Sequence, residues 1–243
     1  MPTDLLIITI VVAVFSIFQS IFGMGILVFG TPTMLVMGYD FATSLCYLLP
    51  ASCAVSFLQV VTSRSKKVHI SPYLYFVCLP SICVGLSLTR AEFLGVWINL
   101  LVGTALLFTA AIRTLPFLRE FFKTFLEKYS FLYHAVMGWV HGLTNLGGGL
   151  LAILASGTQT EKMEIRYTIA LYYLAFSIVQ MLILVFVLGK MEELLSNAFI
   201  ALVSILIYVS IGNRLFGITS NKLFNIALTT FVALYGLAVL IKI

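Results

Sequence analysis

Apolar residues fill this chain in eight runs that no charged residue interrupts: 5–39, 41–63, 71–89, 93–112, 129–160, 167–189, 194–213 and 223–241. A helix needs about 20 predominantly apolar residues to cross the hydrocarbon core of a bilayer. Six runs have the length of one such helix. The runs at 5–39 and 129–160 hold 35 and 32 residues, too many for one crossing and too few for two full ones. Each is expected to be a helical hairpin, or a helix broken near its glycines, since irregular backbone at membrane depth must be covered by protein or water. The pattern predicts an all-α polytopic membrane protein of about eight membrane segments. No soluble domain or long linker stands out. Residue 5 onward also lacks the basic lead-in and small-residue cleavage site of a signal peptide.

Composition narrows the class. The chain of 243 residues is 61% hydrophobic and 9% charged, too little charge for a soluble surface of that size. Cys46, Cys53, Cys78 and Cys83 all lie inside apolar runs and form no C-x-x-C pair, so they read as buried free thiols. No H-E-x-x-H, G-x-S-x-G, metal-ligand cluster or nucleotide-binding motif is present. An enzyme is therefore not expected, nor a cofactor or metal. The net charge of +5 belongs to loops that set orientation and does not indicate nucleic-acid binding.

The loops assign sides. If the run at 129–160 dips in and returns, Arg64, Lys66, Lys67, Arg113, Arg119, Lys123, Lys128, Lys162, Arg166, Arg214 and Lys222 share one face, and Arg90, Lys190 and Lys242 the other: eleven basic residues against three. If it crosses once, the ratio falls to nine against five. The positive-inside rule favours the first arrangement and makes the rich face cytoplasmic. Within it, 1–112 forms a first membrane repeat, 113–128 a cytoplasmic connecting loop and 129–243 a second repeat of opposite orientation.

The two halves echo each other. "FGMGILVFGTPTML" at 22–35 resembles "NLGGGLLAILASGT" at 145–158. At an offset of 121, Ser52, Ser56 and Gln59 face Tyr173, Ser177 and Gln180, and a four-then-three spacing puts each trio on one helix face. Buried glutamine is costly in hydrocarbon unless satisfied, although small polar residues also pack helices. Inverted repeats with paired interruptions are the sequence mark of secondary transporters. Gly23 with Gly25, and Gly147, Gly148 and Gly149, are expected to unwind the chain, with new helices starting near Ile26 and Leu150. The first N–H groups of each new helix would attract an anion without a fixed cation. Thr31 lies in the first new segment, and Pro32 is expected to kink or end it.

Around the second break stand His141, Thr144 and Asn145; with Gln19, Thr31, the break glycines Gly23, Gly25, Gly147, Gly148 and Gly149, and the stripe residues Ser56, Gln59, Tyr173, Ser177 and Gln180, they are the candidate substrate-binding residues. Gln19 precedes Gly25 by six residues, as His141 precedes Gly147. His141 is a candidate substrate donor or proton carrier. Lys162 and Arg166 lie at the cytoplasmic mouth, Lys162 as part of a local ion-pair cap and Arg166 on the face of the polar stripe. Asp40 reads as a helix N-cap. His69 and His134 read as interfacial.

At these motifs, with "HGLTNLGGGLLAILAS" at 141–156 and "KMEIRYTIALYYLAFSIVQ" at 162–180, the chain resembles the sulfite exporter TauE/SafE family, also called the toluenesulfonate uptake permease family. The first half departs from the fuller glycine pattern, with Ile26 and Leu27 where the second half has Gly148 and Gly149. The resemblance implies a multi-pass inner-membrane protein with duplicated halves that moves sulfite, organosulfonates or other small sulfur-containing anions. The expected function is secondary transport of such an anion by alternating access at paired broken helices, with the bilayer and a coupling proton as further partners. A passive anion channel, an intramembrane enzyme and a membrane scaffold without transport are the alternatives.

Overall fold

A computed structural model describes residues 2–63, 68, 70–88, 104, 107–108 and 110–241. Arg64, Lys66, Lys67, His69, Arg90 and Lys242 lie outside the described residues, as do most of the run at 93–112 and the side chains of Arg119 and Lys123. The described elements are all helical: α1 Pro2–Phe22, α2 Ile26–Val36, α3 Phe41–Thr62, α4 Leu74–Leu88, α5 Pro116–Lys128, α6 Ser130–Thr144, α7 Gly148–Thr158, α8 Lys162–Phe186, α9 Met191–Asn197, α10 Ile200–Ile218 and α11 Asn221–Ile241. Helices α4 and α10 each contain a π-helical turn, at Leu74–Cys78 and Tyr208–Gly212.

Among the described residues, four helices are long and apolar enough to cross a membrane: Leu5–Phe22 of α1, α3, α8 and α10. Helices α2, α4 and α7 are shorter apolar helices. The surface is greasy and much of the polar chemistry is inside. Phe76, Phe186 and Ile218 are 80–82% exposed, whereas Gln19, Ser52, Ser56, Gln59, His141 and Gln180 are fully buried. Water would penalise that surface and hydrocarbon does not.

The chain divides into two compact units, Met1–Arg64 with Ala170–Thr219 and Ser65–Ile169 with Ser220–Ile243. Each draws on both sequence halves, so these units of packing and the repeats expected at 1–112 and 129–243 are different divisions. Helix α8 gives its first turns to the second unit and its remainder to the first.

In the first unit α2 doubles back along α1. The rings of Phe15 and Phe29 lie 5.8 Å apart, and Gly25 sits directly on the α1 backbone at Phe15 and Gln19. Gly30 of α2 then packs on the Leu48 side chain of α3, so α3 reverses direction again. The run at 5–39 is thus a helical hairpin. In the second unit α7 doubles back along α6 in the same way: Gly147 sits on Met137 and His141, and the Tyr133 hydroxyl donates to the Leu150 carbonyl at 2.6 Å. Helix α4 lies against α6 with backbone nearly touching backbone at Gly85, Gly138 and Gly142. Small residues permit that approach where helices associate in lipid.

Three local expectations change. Pro32 does not end α2, which continues to Val36. Proline removes one ladder bond, but α2 is buried along most of its length against α1 and α3, and burial outweighs the missing bond. The stretch at 113–128 is largely a helix, α5, with Pro116 at its start, a position that proline suits. Phe117 and Phe121, one turn apart, are both exposed. His134 is buried, not interfacial. Its Nδ1 lies 2.7 Å from the Ser130 carbonyl one turn earlier, and its ring packs on Tyr73. Asp40 does cap α3, accepting from the Thr43 N–H at 3.0 Å. The cysteines are free.

Candidate functional site

The first break begins where Gly23 turns left-handed, with φ 81°, a conformation open to glycine at no steric cost. Its N–H donates back to the Gln19 carbonyl at 2.8 Å. Two residues on, Gly25 presses against α1, where a Cβ would stand 2.6 Å from the Gln19 nitrogen and 2.7 Å from the Phe15 oxygen. Helix α2 then starts at Ile26, and its ladder opens with Phe29 N–H to the Gly25 carbonyl at 3.0 Å. The amides of residues 26–28 precede that ladder.

Those amides meet the polar stripe of α3. Gln19 Oε1 accepts from Ile26 N–H at 3.1 Å. Its Nε2 faces the Ser52 carbonyl at 2.9 Å and the hydroxyls of Ser52 and Ser56 at 3.0 and 3.1 Å. Gln59 Nε2 donates to the last carbonyls of α1, Gln19 at 2.7 Å and Ser20 at 3.2 Å. A primary amide has two donors, so both glutamines commit theirs to tying the end of α1 to α3. Gln59 Oε1 is buried with no hydrogen-bond partner among the described residues. Thr31 is buried farther along α2.

The second break repeats these steps. Asn145 is left-handed, with φ 62°; asparagine tolerates that region better than most residues with a Cβ. Its N–H donates to the His141 carbonyl at 2.7 Å. Gly147 presses on α6, where a Cβ would stand 2.6 Å from the His141 Cβ and 3.0 Å from the Met137 oxygen. The α7 ladder opens with Leu151 N–H to the Gly147 carbonyl at 2.9 Å, leaving the amides of Gly148, Gly149 and Leu150 ahead of it. Every one of these positions is 122 residues beyond its counterpart: 19 and 141, 23 and 145, 25 and 147, 29 and 151. Helix α2 and helix α7 each run 11 residues.

The stripes, by contrast, correspond at 121. The connection explains the slip: α2 ends at 36 and α3 starts at 41, whereas α7 ends at 158 and α8 starts at 162, one residue fewer.

Other sequence candidates fall as follows. Thr144 serves the break itself, donating to the Val140 carbonyl at 2.7 Å and accepting from Leu146 N–H at 3.0 Å. Tyr173, Ser177 and Gln180 are buried on α8, in the first unit. Arg166 is 2% exposed on the first turns of α8, in the second unit, and Lys162 is half-buried nearby. No cluster of three metal-ligating side chains occurs among the described residues.

Sequence reasoning did not find Arg113, which it counted only as a loop charge. It lines a cavity of about 380 Å³ within the second unit. Its place after a charge-free span was the only available signal.

A family model of the sulfite exporter TauE/SafE proteins matches residues 7–239, nearly the whole chain. The chain belongs to the TauE/SafE family. No curated protein and no solved structure matches it. As a TauE/SafE member it is an integral membrane transporter of the anion-exporter class. The two broken hairpins lie inside the matched region.

Proposed function

We propose that this TauE/SafE chain is a secondary transporter that carries a small sulfur-containing anion by alternating access, with the anion held at the helix breaks. The observation that carries the reading is that one break geometry is built twice. A left-handed cap, a bond back to the carbonyl four residues earlier and a glycine seated on the preceding helix recur at a constant offset of 122. Duplicated breaks of this kind serve transporters, because leading amides and the positive helix end attract an anion while adding no fixed charge that would hold it too tightly. The opposite orientation of the two repeats is supported by the loop charges, eleven basic residues against three.

The breaks are not equal. In the first, Gln19 Oε1 already occupies the Ile26 N–H, and side chains stand at 26 and 27. In the second, Gly148 and Gly149 carry no side chain over their amides, and His141 replaces Gln19. The second break is therefore the stronger anion site, and His141 is the candidate proton carrier. Gln19 and Gln59 act as positioning residues that hold the first break open. Tyr173, Ser177 and Gln180 are the corresponding stripe on α8. Sulfite is the first substrate to test, followed by sulfonates and carboxylates.

The test is proton-gradient-driven sulfite flux in proteoliposomes. Gly148→Ala keeps a helical backbone and adds one methyl over the leading amides; flux should fall about tenfold or more, as expected when bonds to a charged ligand are lost. Flux that ignores the proton gradient and follows only the sulfite gradient would indicate a channel. Unchanged flux in folded Gly148→Ala would move the site elsewhere.

A further inference from the structure

The first break meets a further helix besides α3. Within the first unit, α10 packs along both α1 and α3. Tyr47, near the start of α3, bonds the side chain of Asn197 just ahead of α10. Thr62, at the end of α3, has its hydroxyl 2.6 Å from that of Tyr208. Helices α3 and α10 therefore run in the same direction. Gln59 lies three residues before Thr62 and Ser204 four before Tyr208, about 4.5 and 6 Å at 1.5 Å per residue, so the two stand level. The π-helical turn of α10 seats Gly212 directly on the Ser20 side chain of α1. The carbonyl of that same Ser20 is one of the two that Gln59 Nε2 reaches. Gln59 and Ser204 thus share one junction with the carbonyl end of α1.

Two oxygens at this junction are left over. Gln59 Oε1 and Ser204 Oγ are fully buried and have no hydrogen-bond partner among the described residues. The Gln59 amide directs its N–H groups to the Gln19 and Ser20 carbonyls, so what remains is an acceptor. A buried oxygen without a partner is costly. Three features select what would satisfy it. Helix α1 ends here, and the carbonyl end of a helix carries the equivalent of about half a negative charge. The side chains of Gln19, Ser20, Gln59, Thr62, Ser204 and Tyr208 are all neutral; none brings a positive charge to repel a cation, and none a carboxylate to balance a divalent one. Gln19 Oε1 already occupies the leading Ile26 N–H, which turns this break away from anions. A set of neutral oxygens suits a small, hard, monovalent cation.

We propose that the first break is a cation site, where Na+ is held by Gln59 Oε1, Ser204 Oγ and the carbonyl end of α1. Broken helices can hold cations at their carbonyl ends and anions at their amide ends. This chain divides the two tasks between its breaks, with the anion at Gly148. The ion ties α1, α3 and α10 together and leaves the proton-carrying role to His141. That division of roles rests on the transport reading; the binding of Na+ does not.

The test is thermal unfolding of the purified full chain in sodium chloride and in choline chloride at equal ionic strength. An ion that binds only the folded state raises the melting temperature as its concentration rises. Wild type should be stabilised by sodium chloride beyond the effect of choline chloride. Ser204→Ala removes a hydroxyl with no partner among the described residues, so in choline it should melt as wild type does. It should need about tenfold more Na+, or higher, for the same rise. Ser204→Cys keeps the side chain's shape and replaces a hard oxygen with a soft sulfur; it should lose the response in the same way, and it keeps the test valid if Ser204→Ala misfolds. Equal melting of wild type in the two salts, or a wild-type Na+ response in either folded variant, would overturn the site. The first result would mark the two oxygens as partners of buried water. A Na+ response that depends on Ser204 in a protein that moves no sulfite would contradict the transport reading and leave this site standing. Sulfite flux by a protein indifferent to Na+ would do the reverse.

Discussion

At the scale of single residues the decisive groups are Gly25 and Gly147, whose task is to leave space. A Cβ at Gly25 would meet main-chain atoms of α1 at 2.6 and 2.7 Å, and main chain cannot step aside as a side-chain tip can. Gly25→Ala and Gly147→Ala should therefore lower the melting temperature of the purified protein and prise the hairpins apart; unchanged melting would show that the hairpins tolerate separation. Gln59 acts at the same scale in a different way. Gln59→Leu strips the donor from the Gln19 and Ser20 carbonyls and should cost about 1–3 kcal/mol for buried acceptors left unpaired. A calorimetric loss below that range would mean that water replaces the amide. Asn145 shows why residue type alone misleads. In sequence it reads as a ligand beside His141, whereas the structure gives its backbone a turning role, with φ 62°.

At the scale of elements, the hairpins could be read from run length, and the paired glycines placed the breaks to within two residues: α7 starts at Gly148 where Leu150 was expected. The one-residue slip between break and stripe could not be read, because it depends on where α7 stops and α8 starts. Helix α5 was hidden because its charges resemble those of a loop. The α3 cap could be read from Asp40 alone. Burial pushes the Asp40 carboxyl up, and hydrogen bonds from Thr43 with the charge of Lys190 outweigh it, leaving it below its ordinary value. Its stabilising contribution is then present above the unfolded carboxylate range and is lost as pH falls through the lowered folded value. Asp40→Ala should cost about 1 kcal/mol near neutral pH, and the difference from wild type should vanish in strong acid. Thermal melts across pH check this, and a penalty that persists undiminished in strong acid would contradict it.

At the scale of the whole molecule the reading depends on sidedness. Glu161 and Asn221 are bonded in the second unit, and α8 runs 25 residues from Lys162 to Phe186, about 37 Å. Cysteines introduced at Lys162 and Lys222 should therefore label from one face of intact membranes, and one introduced at Lys190 from the other. Labelling of 162 and 222 from opposite faces would end the inverted-repeat account. Charge counting leads to the same expectation. It could not anticipate that each compact unit mixes both sequence halves, since long-range packing leaves no trace in loop charge. The most direct test of the central claim is sulfite flux into proteoliposomes under an imposed proton gradient, measured for wild type and for Gly148→Ala. The account predicts gradient-dependent flux in wild type and a loss of about tenfold or more in the variant, with both proteins equally folded. Equal flux in the two proteins, or flux indifferent to the gradient, would contradict it.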